Sequence, residues 1–129
     1  LHAEKVQGYL QRELELEEER LKEKIFRKGL EQIFIENRLY KKIETVTSYE
    51  AVHTAITKSL APYVEELGRE PSQEEREQLL AIPIRRISQF DIERHRSEIA
   101  ELEKRLAEVT KHLRSVTRYS INYFKGLLK

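Results

Sequence analysis

Apolar positions recur at helical spacing along most of this chain, and most regularly towards its C-terminus. Alternate steps of three and four residues visit Ile92, His95, Ile99, Leu102, Leu106, Val109, Leu113, Val116, Ser120, Tyr123 and Leu127. Only His95 and Ser120 among them are polar. An a/d repeat held over about five heptads predicts a helix that packs along a narrow seam against another helix. No Gly or Pro interrupts it before Gly126. Such a helix would run roughly 54 Å at 1.5 Å per residue. Ser88, three residues before Asp91, is a candidate capping box for its start.

The N-terminal segment carries a less regular stripe, Leu10, Leu14, Leu21 and Ile25, interrupted by Glu17. Leu30, Ile33, Phe34, Leu39, Tyr40 and Ile43 extend its apolar content. Gly29 falls inside this pattern, where glycine costs about 1 kcal/mol relative to alanine, so a bend or close packing is expected there. The middle of the chain reads differently and holds all three prolines. Thr47 and Glu50 have capping-box spacing ahead of Val52, Ile56, Leu60 and Val64, and Gly68 suits the end of that helix. Ser72 and Glu75 open a second helix, which Pro83 ends after Ile82. The run Ile84-Arg85-Arg86-Ile87-Ser88 then leads into the last helix.

These patterns predict an all-α protein in three parts: an outgoing helix over 1–44, a small helical subdomain over 45–90 and a returning helix over 91–129. The two long helices are expected to lie antiparallel as a coiled-coil arm with the subdomain at its distal end. The seam would be formed by Leu10, Leu14, Leu21 and Ile25 against Ile92, Ile99, Leu102, Leu106, Val109, Leu113 and Val116. Charge bears on the pairing independently. Glu13, Glu15, Glu17, Glu18 and Glu19 cluster on the first helix. After Glu108 the last helix has no acid but has Lys111, Arg114, Arg118, Lys125 and Lys129. With Ile43 near Asp91, the acidic cluster would face Lys111–Arg118. Exposed pairs contribute about 0–1 kcal/mol each, so this match concerns register more than stability. The subdomain is too small to hold a large core, yet it carries Leu79, Leu80, Ile82, Ile84, Ile87 and Phe90 close together. A two-fold contact with a second copy is a natural outlet for that surface.

Composition narrows the picture. Ala, Glu, Lys, Leu and Arg fill just over half of the chain, as long helices require. Four glycines and three prolines are too few for the turns of an all-β fold. No apolar run approaches the roughly 20 residues of a membrane span, and no signal-peptide pattern is present. Zero cysteines exclude disulfides and thiolate metal sites. The 24 basic and 23 acidic residues leave a formal charge of +1, so no bulk field draws the chain to nucleic acid. The absence of Met and the start at Leu-His-Ala-Glu inside a helical pattern lead us to expect a piece of a longer protein.

Candidate chemistry is sparse. His2, His53, His95 and His112 lack ligand-like spacing. His95 reads as a seam residue with its polar edge toward solvent. Tyr49, Tyr119 and Tyr123 read as packing residues, and Arg85 and Arg86 as solvated or ion-paired cations. Adjacent acids such as Glu18 and Glu19 point different ways on a helix and make no acid/base dyad. No P-loop or nucleophile triad is visible.

The stretch Leu30-Glu-Gln-Ile-Phe-Ile-Glu-Asn-Arg-Leu-Tyr-Lys-Lys-Ile-Glu44 resembles the end of the first coiled-coil helix in A subunits of bacterial type IIA DNA topoisomerases. The stretch Leu80-Ala-Ile-Pro-Ile-Arg-Arg-Ile-Ser-Gln-Phe-Asp91 resembles the segment leading into their returning helix. The order of long helix, small subdomain and long helix is similar over the whole chain. Pro83 departs from the gyrase-like pattern. The resemblance implies the coiled-coil arm and exit gate (C-gate), through which two A subunits dimerise and a transported duplex leaves. It implies a gate face at Leu79, Leu80, Ile82, Ile84 and Ile87, with Arg85 and Arg86 at its rim. No catalytic, cofactor or metal residue carries over. Mg and ATP would serve the whole enzyme, with ATP on the partner B subunit, in a bacterial cytoplasm. DNA would be a partner of the whole enzyme, with little direct binding by this piece. Two other readings stand beside this one. A coiled-coil scaffold or tethering arm would turn in a few residues, whereas the capped helices between Thr47 and Ile82 make more than a turn. A nucleic-acid-binding arm would want one consistently basic face.

Overall fold

The computed structural model describes the backbone of residues 2–127 and the side chains of 10–116. The described residues are all-helical, with no strand among them. Helix α1 runs over His2–Glu36, α2 over Tyr49–Leu60, α3 over Val64–Leu67, α4 over Gln73–Leu80, α5 over Ile84–Ser88 and α6 over Ile92–Leu127. Short 3₁₀ turns at Leu39–Lys42 and Ala61–Tyr63 complete the order. The heptad run therefore forms one helix over the span its pattern predicts, since no residue within it opposes helix formation before Gly126.

The helix boundaries show which capping signals operate. Ser72 and Glu75 form the expected capping box: the Glu75 amide donates to Ser72 Oγ at 3.2 Å and the Ser72 amide donates to Glu75 Oε1 at 2.9 Å. Gly68 ends α3 at φ 97°, a left-handed conformation that glycine adopts without strain. Two expectations are corrected. Ser48, not Thr47, caps α2, its Oγ accepting from the Ala51 amide at 3.2 Å. Ser88 lies inside α5 and donates to the Arg85 carbonyl, so it cannot cap α6. Asp91 does that instead, its Oδ1 accepting from the Arg94 amide at 3.1 Å.

The chain falls into two compact units, Leu1–Ile25 with Ala100–Lys129, and Phe26–Ile99. In the first, Val109 is buried. Leu14, Leu21, Ile25, Leu102, Leu106, Leu113 and Val116 are half-buried, while Leu10 is exposed. Arg105 NH2 lies 2.8 Å from Glu17 Oε1, and Thr110 Oγ1 donates to Glu18 Oε2 at 3.1 Å. Glu17 and Glu18 of the acidic cluster thus meet partners earlier along α6 than Lys111. Tyr119, Tyr123, Lys125 and Lys129 lie outside the described side chains, as does Arg118.

The second unit has a closed apolar core. Phe26, Leu30, Ile33, Phe34 and Ile35 of α1 meet Leu39, Ile56, Leu60 and Leu79. Leu30, Phe34, Ile56 and Leu60 are almost wholly buried, each worth roughly 1.5–3 kcal/mol of transfer free energy. Gly29 causes no break in α1: a Cβ added there would sit 3.5 Å from Leu67 Cδ2, an ordinary contact.

Candidate functional site

The apolar stretch singled out in the sequence lies in the second unit, on α4, α5 and the turn between them. Its position is fixed from below. Arg69 grips Glu75 with both arms, NH1 to Oε1 at 2.7 Å and NH2 to Oε2 at 3.0 Å. The same guanidinium lies 3.6 Å from the centre of the Phe26 ring. That stacking ties the start of α4 to α1. Glu75 is buried, and its carboxyl is lowered to about 2, chiefly by the hydrogen bonds from Arg69 and also by those from Ser72, against the opposing effect of burial.

From this anchor α4 delivers its last turn into the core. Leu79 is 4% exposed and belongs to the buried cluster. It has no side-chain surface left for a partner. Ile82 and Ile87 are half-buried and pack against the same core. Pro83, extended at φ −67° and ψ 147°, restarts the chain as α5, and the Arg86 and Ile87 amides donate to its carbonyl. This restart turns Ile84 outward. Ile84 is 84% exposed and Leu80, one turn back on α4, is 36% exposed. Arg85 is exposed, while Arg86 reaches back to Glu31 of α1 at 2.8 Å. Of the residues predicted as a contact face, the fold leaves Leu80, Ile84, Arg85 and Arg86 exposed, Ile82 and Ile87 half-buried, and Leu79 buried.

Beside α5 lies an open cleft of about 430 Å³, lined in part by Lys28, Glu31, Arg86, Phe90, His95 and Glu98. Four of its charged side chains are paired, Lys28 with Glu98 and Arg86 with Glu31. Lys28 Nζ is 2.7 Å from Glu98 Oε2, and its hydrogen bond holds the Glu98 carboxyl below the usual carboxylate range. His95 is buried, contrary to the expected solvent-facing edge. Its Nε2 donates to the Lys28 carbonyl at 2.7 Å, and its ring tilts against Phe90 at 4.8 Å. A backbone acceptor therefore replaces water at the imidazole. No side chain in the cleft is placed as a nucleophile with an adjacent base. No group of His, Cys, Asp and Glu among the described residues is arranged to hold a metal. No helix there is long and apolar enough to cross a membrane.

A polar tether between α2 and α4 has no counterpart in the sequence pattern. Tyr49 is 58% exposed rather than packed inside, and its hydroxyl accepts from Gln73 Nε2 and donates to Glu77. Arg76 Nε donates to His53 Nδ1 at 3.1 Å and its NH1 donates to the Pro71 carbonyl. The only sequence sign of this tether is the richness of α4 in polar side chains.

Likeness to a known protein decides the family. The chain is 42% identical over 127 residues to the A subunit of DNA topoisomerase 4 from Borreliella burgdorferi. The chain belongs to the type IIA DNA topoisomerase A-subunit family. The similarity takes in 98% of this chain, so both long helices and everything between them carry family sequence. It spans about 20% of the length of that relative. No family model matches the chain, and no solved structure does.

Proposed function

We propose that this chain is the coiled-coil and exit-gate region of a topoisomerase A subunit. Its helices α1 and α6 would form an antiparallel arm, and the residues between them would dimerise. The observation that carries the reading is Ile84. A large aliphatic side chain 84% exposed, over a core that closes without it and in the same stretch as the exposed Leu80, offers apolar surface that suits a partner. On a two-fold axis, Ile84 and Leu80 of one copy would meet the same residues of the other, with Arg85 at the rim. A contact burying roughly 1,200–2,000 Å² would be firm enough to stay shut while DNA is cut. It would still open to release a duplex, because the open side chains are few. The cutting chemistry, Mg and ATP (the last on the B subunit) belong, on this reading, to other parts of a whole enzyme working on DNA in the bacterial cytoplasm.

Light scattering across a concentration series tests this directly. The chain is expected to reach dimer mass as concentration rises, and Ile84→Asp to shift the equilibrium to monomer. A strict monomer at high concentration, or an Ile84→Asp variant that dimerises like the parent, would remove the reading.

A further inference from the structure

Arg38, which follows α1, is the sole non-glycine described residue with positive φ, at φ 52° and ψ 39°. Glycine or asparagine fits that left-handed position with less strain. The chain nevertheless holds an exposed arginine there. Lys41 and Lys42 follow within one 3₁₀ turn, also exposed. None of the three cations has a carboxylate within ion-pair distance among the described residues. The nearest upstream acid, Glu36, is already taken by Arg96 at 2.9 Å.

The platform beneath these charges is rigid. Leu39 is 3% exposed in the core, Tyr40 meets Phe34 edge-on at 6.1 Å, and the Lys41 amide donates to the Arg38 carbonyl at 3.1 Å. Compensation of the α1 dipole does not explain the lysines. That field fades within the last turn, and the last turn of α1 carries no basic residue. The patch also lacks the open apolar centre of a protein interface, because its apolar residues all face the core. Fixed cations without exposed apolar area suit a partner bound by charge alone, and a phosphate backbone is such a partner.

We propose that Arg38, Lys41 and Lys42 form a sequence-independent contact site for the phosphates of duplex DNA. The choice of DNA over other polyanions rests on the family reading above, while the gate itself is tested separately by dimer mass.

The experiment is fluorescence anisotropy of a short mixed-sequence duplex with the 129-residue chain, over a salt series from about 25 to about 200 mM. Each lost phosphate contact lowers the slope of log affinity against log salt by about 0.9, so Arg38→Gln with Lys41→Gln and Lys42→Gln should lower it by about 2.7. Arg38→Gly alone should lower it by about 0.9 while leaving the thermal midpoint unchanged or raised, since glycine relieves the backbone. Lys58→Gln with Lys104→Gln removes exposed cations elsewhere and should leave the slope unchanged. No salt-sensitive binding by the parent chain overturns the proposal. So does an equal loss from the control pair, or competition by polyglutamate as effective as by DNA, which would assign the patch to an acidic protein.

Discussion

The imidazole Nε2 of His95 lies 2.7 Å from the backbone carbonyl of Lys28. A carbonyl only accepts, so Nε2 carries a proton in this contact. The bond ties the first turn of α6 to α1 inside the second unit, with the ring resting on Phe90. His95→Ala removes both contacts and leaves a small void, for an expected loss of about 2–3 kcal/mol in urea unfolding. His95→Phe keeps ring contact and loses only the hydrogen bond, for about 1 kcal/mol. A His95→Phe variant as stable as the parent would show that the bond contributes nothing.

Glu75 gives the fold an acid-sensitive anchor. Its folded pKa, about 2, is below the ordinary value of 4.5. The folded state therefore binds the proton more weakly than the unfolded one. The stabilisation is complete above pH 4.5 and is lost as pH falls from there toward about 2. Its size is on the order of 2 kcal/mol, held down because Arg69 is half-exposed and water screens the pair. Unfolding free energy measured against pH should fall through this window in the parent chain. Glu75→Gln should flatten that part of the profile and be less stable at neutral pH.

Gly29 offers room for improvement. It sits in the interior of α1, and the added methyl of Gly29→Ala would touch Leu67 Cδ2 at an ordinary 3.5 Å. With helix propensity gained and no clash, the substitution should stabilise by about 0.5–1 kcal/mol. A lower thermal midpoint would mean that the packing against α3 is tighter than its distance indicates.

The helices were legible in the sequence because their apolar spacing and capping pairs are local signals. Ser72 with Glu75 is such a pair, and the structure forms it. The cap of α2 moved from Thr47 to Ser48 because either hydroxyl can serve, and only the backbone at Ser48, extended at φ −95°, chooses. The candidate site was legible as a region but not residue by residue. Leu79 and Ile84 are both aliphatic and close in sequence, and nothing local tells them apart. The restart at Pro83 sends one into the core and the other into solvent. His95 was hidden for a different reason: its acceptor is a backbone carbonyl on another helix, which no side-chain pattern records.

That difference between Leu79 and Ile84 yields a paired prediction. Leu79 is 4% exposed, so Leu79→Ala opens a cavity and should cost about 2–5 kcal/mol of unfolding free energy. It should leave the monomer–dimer equilibrium of the surviving folded chain nearly unchanged, because the side chain reaches no partner. Ile84 is 84% exposed, and replacing it touches no core contact. Ile84→Asp should therefore alter the stability of the monomer by no more than about 0.5 kcal/mol. Its effect should fall on association, where a charge would be buried against its own symmetry copy. Denaturant unfolding at low concentration and light scattering at high concentration separate the two effects. An Ile84→Asp variant that loses stability as Leu79→Ala does would place Ile84 in the fold rather than on its contact surface.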